Sequence, residues 1–210
     1  MTNRHVPQRL AILISGAGST MRAVLDAAQA DEHYGAQPVV VISDKPDAAG
    51  LAIAASAGVP TEVVNVADFP DRAAWNQALA ATIARYEPDL VLCAGFMRIL
   101  GAPVLEVFGG RIINTHPALL PSFPGAPAVR DAIAHGVKVT GCTVMMVDAG
   151  VDTGPIIAQA VVEVRDNDTQ DSLHDRIKAV ERDLVATTVG RMAREGWIIN
   201  GRRVELGGRD

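Results

Sequence analysis

Residues 9–20 read R-L-A-I-L-I-S-G-A-G-S-T, and this stretch decides the fold class. Its first part, 9–14, is a short continuous apolar run, which is typical of a strand buried on both faces. Residues 15–18 break the run, and the pattern over 19–30 predicts a helix. A buried strand, a glycine turn and a helix in direct succession indicate the opening unit of a parallel α/β sheet.

The same alternation continues through the first half of the chain. After the helix 19–30, the predicted elements are a strand at 38–43, a helix at 48–57, a strand at 61–65, a helix at 71–86 and a strand at 89–94. Short apolar strands that alternate with helices predict a parallel sheet covered on both sides.

After Gly95 the pattern changes. The predicted elements are a strand at 111–114, a Pro- and Gly-rich stretch at 117–127, a helix at 128–135, strands at 139–147 and 155–164, and a long helix at 169–195. The linker 148–154 lets the last two strands pair antiparallel. We therefore predict a single Rossmann-like α/β domain over 1–210. Its sheet is mostly parallel and twisted with helices on both faces, its core spans about 9–195, and a loose tail covers about 197–210.

Composition excludes several functional classes. The 210 residues are 49% hydrophobic, which is too apolar for disorder, and the net charge of −5 with few aromatic side chains argues against nucleic-acid binding. No apolar run is long enough for a membrane span. Two cysteines, Cys93 and Cys142, form neither a disulfide framework nor a metal-binding spacing. We expect a cytoplasmic protein without a metal.

The turn at 14–20 is the first candidate site. Gly16 and Gly18 permit a tight turn, and the free N–H groups at the start of the following helix would face an anion such as a phosphate. Ser19 and Thr20 add hydroxyl donors. The pattern lacks the third glycine of a dinucleotide site and the G-K-[ST] of a P-loop. A phosphate monoester fits best, and an ordinary strand–helix turn is the alternative.

Two side chains that follow a predicted strand form the second candidate. Asn114 and His116 are two residues apart in an extended chain, so they point to the same side. An Asn amide beside a His can donate two hydrogen bonds to one developing oxyanion. The alternative is a polar loop with a satisfied histidine.

Acidic residues supply the third candidate. Asp148 and Asp152 lie among glycines, where they indicate either a simple turn or a carboxylate that reaches His116. On the last helix, Lys178 and Glu181 are spaced i, i+3, which is usually a solvated ion pair.

Five segments taken together resemble one enzyme family, the phosphoribosylglycinamide (glycinamide ribonucleotide) formyltransferases of the 10-formyltetrahydrofolate-dependent superfamily. The segments are I-S-G-A-G-S (14–19), S-D-K-P-D-A-A-G-L (43–51), C-A-G-F-M-R-I-L (93–100), I-N-T-H-P-A-L-L-P-S-F-P-G (113–125) and V-D-T-G-P-I-I (151–157). The N-x-H-P-x-L-L-P run with a later D-x-G-P is typical of the superfamily. The A-G-F-M-R-I-L run and the short length favour this member.

This resemblance implies formyl transfer from 10-formyltetrahydrofolate, as co-substrate, to glycinamide ribonucleotide in purine biosynthesis, by a monomer or homodimer. Asn114, His116 and Asp152 match the catalytic residues. The residues that match contacts to the ribonucleotide are Gly18, Ser19, Thr20, Lys178 and Glu181. Those that match the folate site are Arg72, Met97, Arg98, Ile99, Leu100, Asn114, Asp148 and Asp152. The chain departs from common family residues at Thr20, Pro127 and Met145.

Three alternatives remain. Formyltetrahydrofolate deformylase uses the same three catalytic residues but carries an N-terminal regulatory domain, for which we expect no room before Arg9. Methionyl-tRNA formyltransferase carries an extra C-terminal domain and a basic surface, against which the net charge of −5 argues. A catalytically silent folate- or nucleotide-binding module would not need the intact Asn114, His116 and Asp152.

Overall fold

A computed structural model describes residues 6–207. Within this range the strands are β1 (Gln8–Ile14), β2 (Ala36–Ser43), β3 (Thr61–Val63), β4 (Leu90–Cys93), β5 (Ile112–His116), β6 (Val139–Met146), β7 (Ile156–Glu163), β8 (Trp197–Asn200) and β9 (Arg203–Leu206). The α-helices are α1 (Ser19–Ala30), α2 (Ala49–Ser56), α3 (Arg72–Ala84), α4 (Ala102–Phe108), α5 (Ala128–Ala134) and α6 (Gln170–Glu195). A short 3₁₀ helix, Val66–Asp68, precedes α3.

All these strands join one sheet, in the order β3-β2-β1-β4-β5-β6-β7-β9-β8. Strands β1 to β5 pair in parallel, whereas β6 pairs antiparallel with both β5 and β7. The order reverses beside β1, which lies between β2 and β4. In open α/β sheets, ligands bind outside the carboxyl ends of the strands at such a switch point. The loops that follow β1, β4 and β5 share this edge.

The apolar run that opens the chain is buried on both faces of the sheet. Leu10, Ile12 and Ile14 pack with residues of α1 and α6, while Ala11 and Leu13 pack on the other face with residues of α3 and α4. All five side chains are fully buried. The predicted α/β class, the helices on both faces and the antiparallel late strand pair are therefore confirmed.

Helix α4 was not predicted from the sequence. It has only seven residues, with a proline in its first turn and Gly109 directly after its end. Only Val104 and Phe108 are buried. Its residues A-P-V-L-E-V-F are nearly all apolar and span only two turns, which is too short to establish a helical period.

The predicted loose tail is wrong for 197–206, where β8 and β9 form an antiparallel hairpin. Asn200 pairs with Arg203 across a turn in which Gly201 has φ +60°. The Trp197 indole N–H donates to the Gly110 carbonyl at 3.0 Å, and Trp197, Val204 and Leu206 pack against the core. The Asn-Gly pair in the sequence is a hairpin signal. Positions 208–210 of the predicted tail lie outside the described residues.

None of the helices found in 6–207 is long and apolar enough to cross a membrane.

Candidate active site

The turn between β1 and α1 leaves the first N–H groups of α1 without a side-chain partner. Gly18 precedes the helix with φ +73°, and no side chain in the described part of the chain caps the helix start. The Gly16 carbonyl accepts a hydrogen bond from the Gly50 N–H at 3.0 Å, which fixes the turn against α2. Uncapped N–H groups and the positive end of the helix dipole together suit an anion. The phosphate loop stays a prediction, and this helix start is where the phosphate would bind.

Gly18→Ala is expected to lower the free energy of unfolding by about 2–4 kcal/mol, which urea denaturation would measure. The left-handed backbone disfavours a side chain, and a Cβ at this position would lie 2.8 Å from the Gly50 Cα, a backbone atom that cannot move freely. Gly58→Ala is the matched control, because Gly58 also has positive φ (+75°) but no atom within 4 Å of a Cβ. It should cost only about 1 kcal/mol. Equal losses in the two variants would contradict the close approach to Gly50.

Asn114 and His116 lie within β5, on one face of the sheet. The prediction that they follow the strand is wrong, because pairing with β6 extends β5 through His116. The shared face is as expected, since alternate strand residues point the same way.

Asp152 comes from the β6–β7 loop and pairs with His116. The distance from its Oδ2 to His116 Nδ1 is 3.3 Å, and both side chains are largely buried. The same Oδ2 accepts a hydrogen bond from the Gly125 N–H at 2.8 Å. Asp152 has φ +54°, which turns the loop toward β5. The structure thus brings together the three residues for which a catalytic role was predicted.

The ring of His116 faces a hydrogen-bond acceptor at each nitrogen. Nδ1 faces the Asp152 carboxylate, and Nε2 lies 2.8 Å from the Phe123 carbonyl oxygen. A carbonyl and a carboxylate only accept, so the ring satisfies both when each nitrogen carries a proton. The half-buried Asn114 has no side-chain hydrogen bond to any residue in 6–207, so its amide is available to a ligand.

Glu181 lies on α6, against the other face of the sheet, and is buried. Its Oε1 accepts a hydrogen bond from the Thr20 hydroxyl at 2.9 Å. Burial raises the pKa of Glu181, and hydrogen bonds from Thr20 and Thr115 with the charges of His116 and Lys178 oppose this rise. Lys178 and Glu181 do not form the solvated ion pair that is usual at this spacing, because the ammonium of Lys178 pairs with Asp175 at 3.4 Å. Thr20 therefore points inward to a carboxylate rather than outward to a ligand.

Glu181→Gln is expected to raise the melting temperature at pH 8. Burial raises the pKa of Glu181 above its ordinary 4.5, so just above pH 4.5 the folded state holds more protons than the unfolded state. Stability therefore falls as pH rises through this range. The advantage of the glutamine variant should vanish near pH 4, where Glu181 is protonated in both states. Glu106→Gln, at an exposed position, is the control. No gain at pH 8 would contradict a burial cost at this carboxylate.

The segment Met97 to Leu100 follows β4 at the same edge of the sheet. Met97 and Ile99 are exposed, at 74% and 63%, whereas Leu100 is buried. The Met97 N–H donates to the Ser15 hydroxyl at 2.8 Å, and a guanidinium N–H of Arg72 donates to the Ile99 carbonyl at 2.8 Å. Two apolar side chains thus stand exposed on a tethered loop beside β5.

Asp44 is a residue of this edge that the sequence analysis missed. Its Oδ2 accepts a hydrogen bond from Arg98 Nε at 2.6 Å, and its side chain is fully buried. Its Oδ1 has no hydrogen-bond partner among residues 6–207. The side chain of Arg98 remains 38% exposed. Asp44 lies in the S-D-K-P segment at the end of β2, and a charged residue directly after a buried strand was the available signal.

The two carboxylates of the β6–β7 loop make different contacts. Asp148 Oδ1 accepts from the Gly150 N–H at 3.0 Å and from the Thr153 hydroxyl at 2.6 Å, so Asp148 closes the turn. Asp152 reaches His116 instead. Arg202 of the unpredicted hairpin supports the loop by donating to the Thr153 carbonyl at 3.0 Å.

The structure also shows the surroundings of two residues that depart from the common family pattern. Pro127 directly precedes α5, and the side chain of Met145 is buried on β6 at the position that pairs with Asn114. Neither side chain can donate a hydrogen bond at this edge.

Comparison with known proteins establishes the family of the chain. A family model described as formyl transferase matches residues 8–189. The chain belongs to the formyl transferase family. It is 52% identical over 201 residues to phosphoribosylglycinamide formyltransferase from Mycobacterium tuberculosis, covering 96% of this chain and 92% of that protein. The Bacillus subtilis enzyme of the same name is 38% identical, covering 83% and 89%.

Solved structures of the family share the fold. Glycinamide ribonucleotide transformylase 1 from Symbiobacterium toebii superposes with a TM-score of 0.93 at 44% identity, covering 96% of this chain and 95% of that chain. Membership of the formyl transferase family implies a folate-derived formyl donor and small-molecule substrates. Among residues 6–207, no group of three or more His, Cys, Asp or Glu side chains is placed to hold a metal ion.

Proposed function

We propose that the chain transfers the formyl group of 10-formyltetrahydrofolate to the amine of 5′-phosphoribosylglycinamide. The products are N-formylglycinamide ribonucleotide and tetrahydrofolate, in purine biosynthesis. The observation that carries the proposal is one arrangement at the carboxyl edge of the sheet. Asn114 and His116 lie on β5, and Asp152 reaches His116 from the β6–β7 loop. The uncapped start of α1 lies close to them in the fold.

The proposed reaction begins when the amine attacks the formyl carbon. A C–N bond forms to the amine, and the carbonyl oxygen becomes an oxyanion that accepts hydrogen bonds from Asn114 and His116. The His116 Nε2–H exchanges the Phe123 carbonyl for the oxyanion, which is the stronger acceptor because it is charged. When the intermediate collapses, the bond from carbon to N10 breaks, the amine nitrogen loses one proton and N10 gains one.

Asp152 supports this chemistry by its charge and by its position. Its carboxylate lies 3.3 Å from His116 Nδ1, so it stabilises the imidazolium form that donates to the oxyanion. We assign it a second task, which is to accept the amine proton through water and pass it toward N10.

The remaining contacts divide between the two substrates. In this proposal the phosphate lies on the N–H groups of Gly18, Ser19 and Thr20, and Glu181 receives the ribose hydroxyls. Lys178, near Glu181 on α6, adds positive charge toward the ribonucleotide.

The pterin lies on the Met97–Leu100 segment, with Arg98 among its contacts, and beside the Asp148–Asp152 loop. Arg72 lies toward the folate tail. A slot with exposed apolar side chains and fixed backbone polar groups suits a flat heterocycle. The low cysteine content supports a reducing cytoplasm as the place of action.

The test is an assay of the purified chain with 10-formyltetrahydrofolate, in the presence and absence of glycinamide ribonucleotide. Loss of the formyl-folate absorbance should require the ribonucleotide. Equal turnover without it would favour the hydrolase reaction of formyltetrahydrofolate deformylase, and no turnover in either case would favour a silent binding module.

A further inference from the structure

The side chain of Thr20 points into the fold, toward Glu181 on α6. Its hydroxyl lies 2.9 Å from Glu181 Oε1, and both residues are more than nine-tenths buried. A carboxylate only accepts hydrogen bonds, so the hydroxyl donates. Thr20 is the second residue of α1, and Glu181 lies in the middle of α6. One buried hydrogen bond therefore connects the phosphate loop with the carboxylate of α6.

A second threonine completes the environment of Glu181. Thr115 lies between Asn114 and His116 on β5, and as the alternate residue of the strand it points to the opposite face of the sheet. On that face its hydroxyl helps to hold down the pKa of the Glu181 carboxyl. Burial opposes the charge of this carboxylate, and the two threonine hydroxyls offset that cost. The Thr20 hydrogen bond also restricts where the carboxylate points.

We propose that Thr20 is a positioning residue for the ribonucleotide, acting through Glu181. Its hydroxyl fixes the carboxylate that receives the ribose, while its backbone N–H remains available to the phosphate. One residue thus sets the spacing between the phosphate and ribose contacts. This inference rests on the proposed function, because it takes glycinamide ribonucleotide as the ligand.

Calorimetric titration of glycinamide ribonucleotide tests the inference without requiring turnover. Thr20→Val keeps the shape of the side chain and removes the hydroxyl. It should raise the ribonucleotide Kd about 5- to 10-fold, the effect of one hydrogen bond, and leave the Kd for 10-formyltetrahydrofolate unchanged. Thr20→Ser restores the hydroxyl and should recover most of the affinity.

Thr140→Val is the matched control. Thr140 is a buried threonine on β6 whose hydroxyl has no hydrogen-bond partner within 6–207, so its removal should leave the ribonucleotide Kd unchanged. A fold defect from any buried Thr→Val change would appear in this variant as well.

A double-mutant cycle separates positioning from a direct contact. In a Glu181→Ala background, Thr20→Val should change the Kd less than 2-fold, because its effect passes through Glu181. A full effect in that background, or a serine variant as weak as the valine variant, would overturn the inference. Ribonucleotide binding without turnover would overturn only the proposed function, whereas no ribonucleotide binding by the unaltered protein would overturn both.

Discussion

Asp152→Asn should fold normally and lose about 10²- to 10⁴-fold in kcat/KM, the range for a residue that supports acid–base catalysis. The carboxylate is the charged partner of His116, at 3.3 Å from Nδ1. An asparagine amide has the same shape but no charge, so the imidazolium that donates to the oxyanion loses its stabilisation. Folding should be preserved, because Asn tolerates the left-handed backbone (φ +54°) as well as Asp does.

The measurement is kcat/KM for both substrates together with a thermal melt. Asp26→Asn is the control, since Asp26 forms an exposed ion pair with Arg22 on α1 and should retain full activity. An Asp152→Asn variant with activity within threefold of the unaltered protein would exclude the assigned role of this carboxylate.

Asn114→Leu is expected to lower kcat about 10²- to 10³-fold, the loss measured when one oxyanion donor is removed. Leucine approximates the shape of asparagine without a donor. In 6–207 the Asn114 amide has no side-chain hydrogen bond to lose, so stability should change by less than about 1 kcal/mol. The KM for the ribonucleotide should stay within a few fold, because the interaction forms mainly in the transition state.

The control for Asn114→Leu is a buried asparagine that does hold structure. Asn76 on α3 accepts from the Gly101 N–H at 2.7 Å and donates to the Arg72 carbonyl. Asn76→Leu should therefore lose stability, unlike Asn114→Leu. If Asn114→Leu were destabilised to the same extent, with kcat unchanged, the Asn114 amide would be a structural group rather than an oxyanion donor.

Local patterns in the sequence were sufficient to predict the main elements of the sheet. The apolar run 9–14 and the turn before Ser19 predicted β1 and α1 closely, because burial on both faces and an uncapped helix start leave direct signals. The shared face of Asn114 and His116 followed from strand geometry alone. The contact between Asp152 and His116 was predicted only from the resemblance to known enzymes. Spacing in the sequence cannot show a contact between a strand and a distant loop.

The features that were missed depend on tertiary contacts. The inward direction of Thr20 requires α6 to pack across α1, and the burial of Asp44 requires the loop after β4 to lie over β2. In the hairpin at 197–206, residues 198–200 of β8 are all exposed and exposure alternates only along β9. The hairpin gains its stability from Trp197, Val204 and Leu206, which pack against the core. The sequence alone does not show that the core offers a surface on which this hairpin can pack.

The destination of the formyl carbon distinguishes transfer to the ribonucleotide amine from hydrolysis. The unaltered chain is incubated with 10-[¹³C-formyl]tetrahydrofolate and glycinamide ribonucleotide, and the products are followed by ¹³C NMR. The label should move to the amide of N-formylglycinamide ribonucleotide, with one labelled product for each tetrahydrofolate formed. The Asn114 and Asp152 variants should slow this step. Label that appears as free formate at the same rate with and without the ribonucleotide would contradict the proposed transfer.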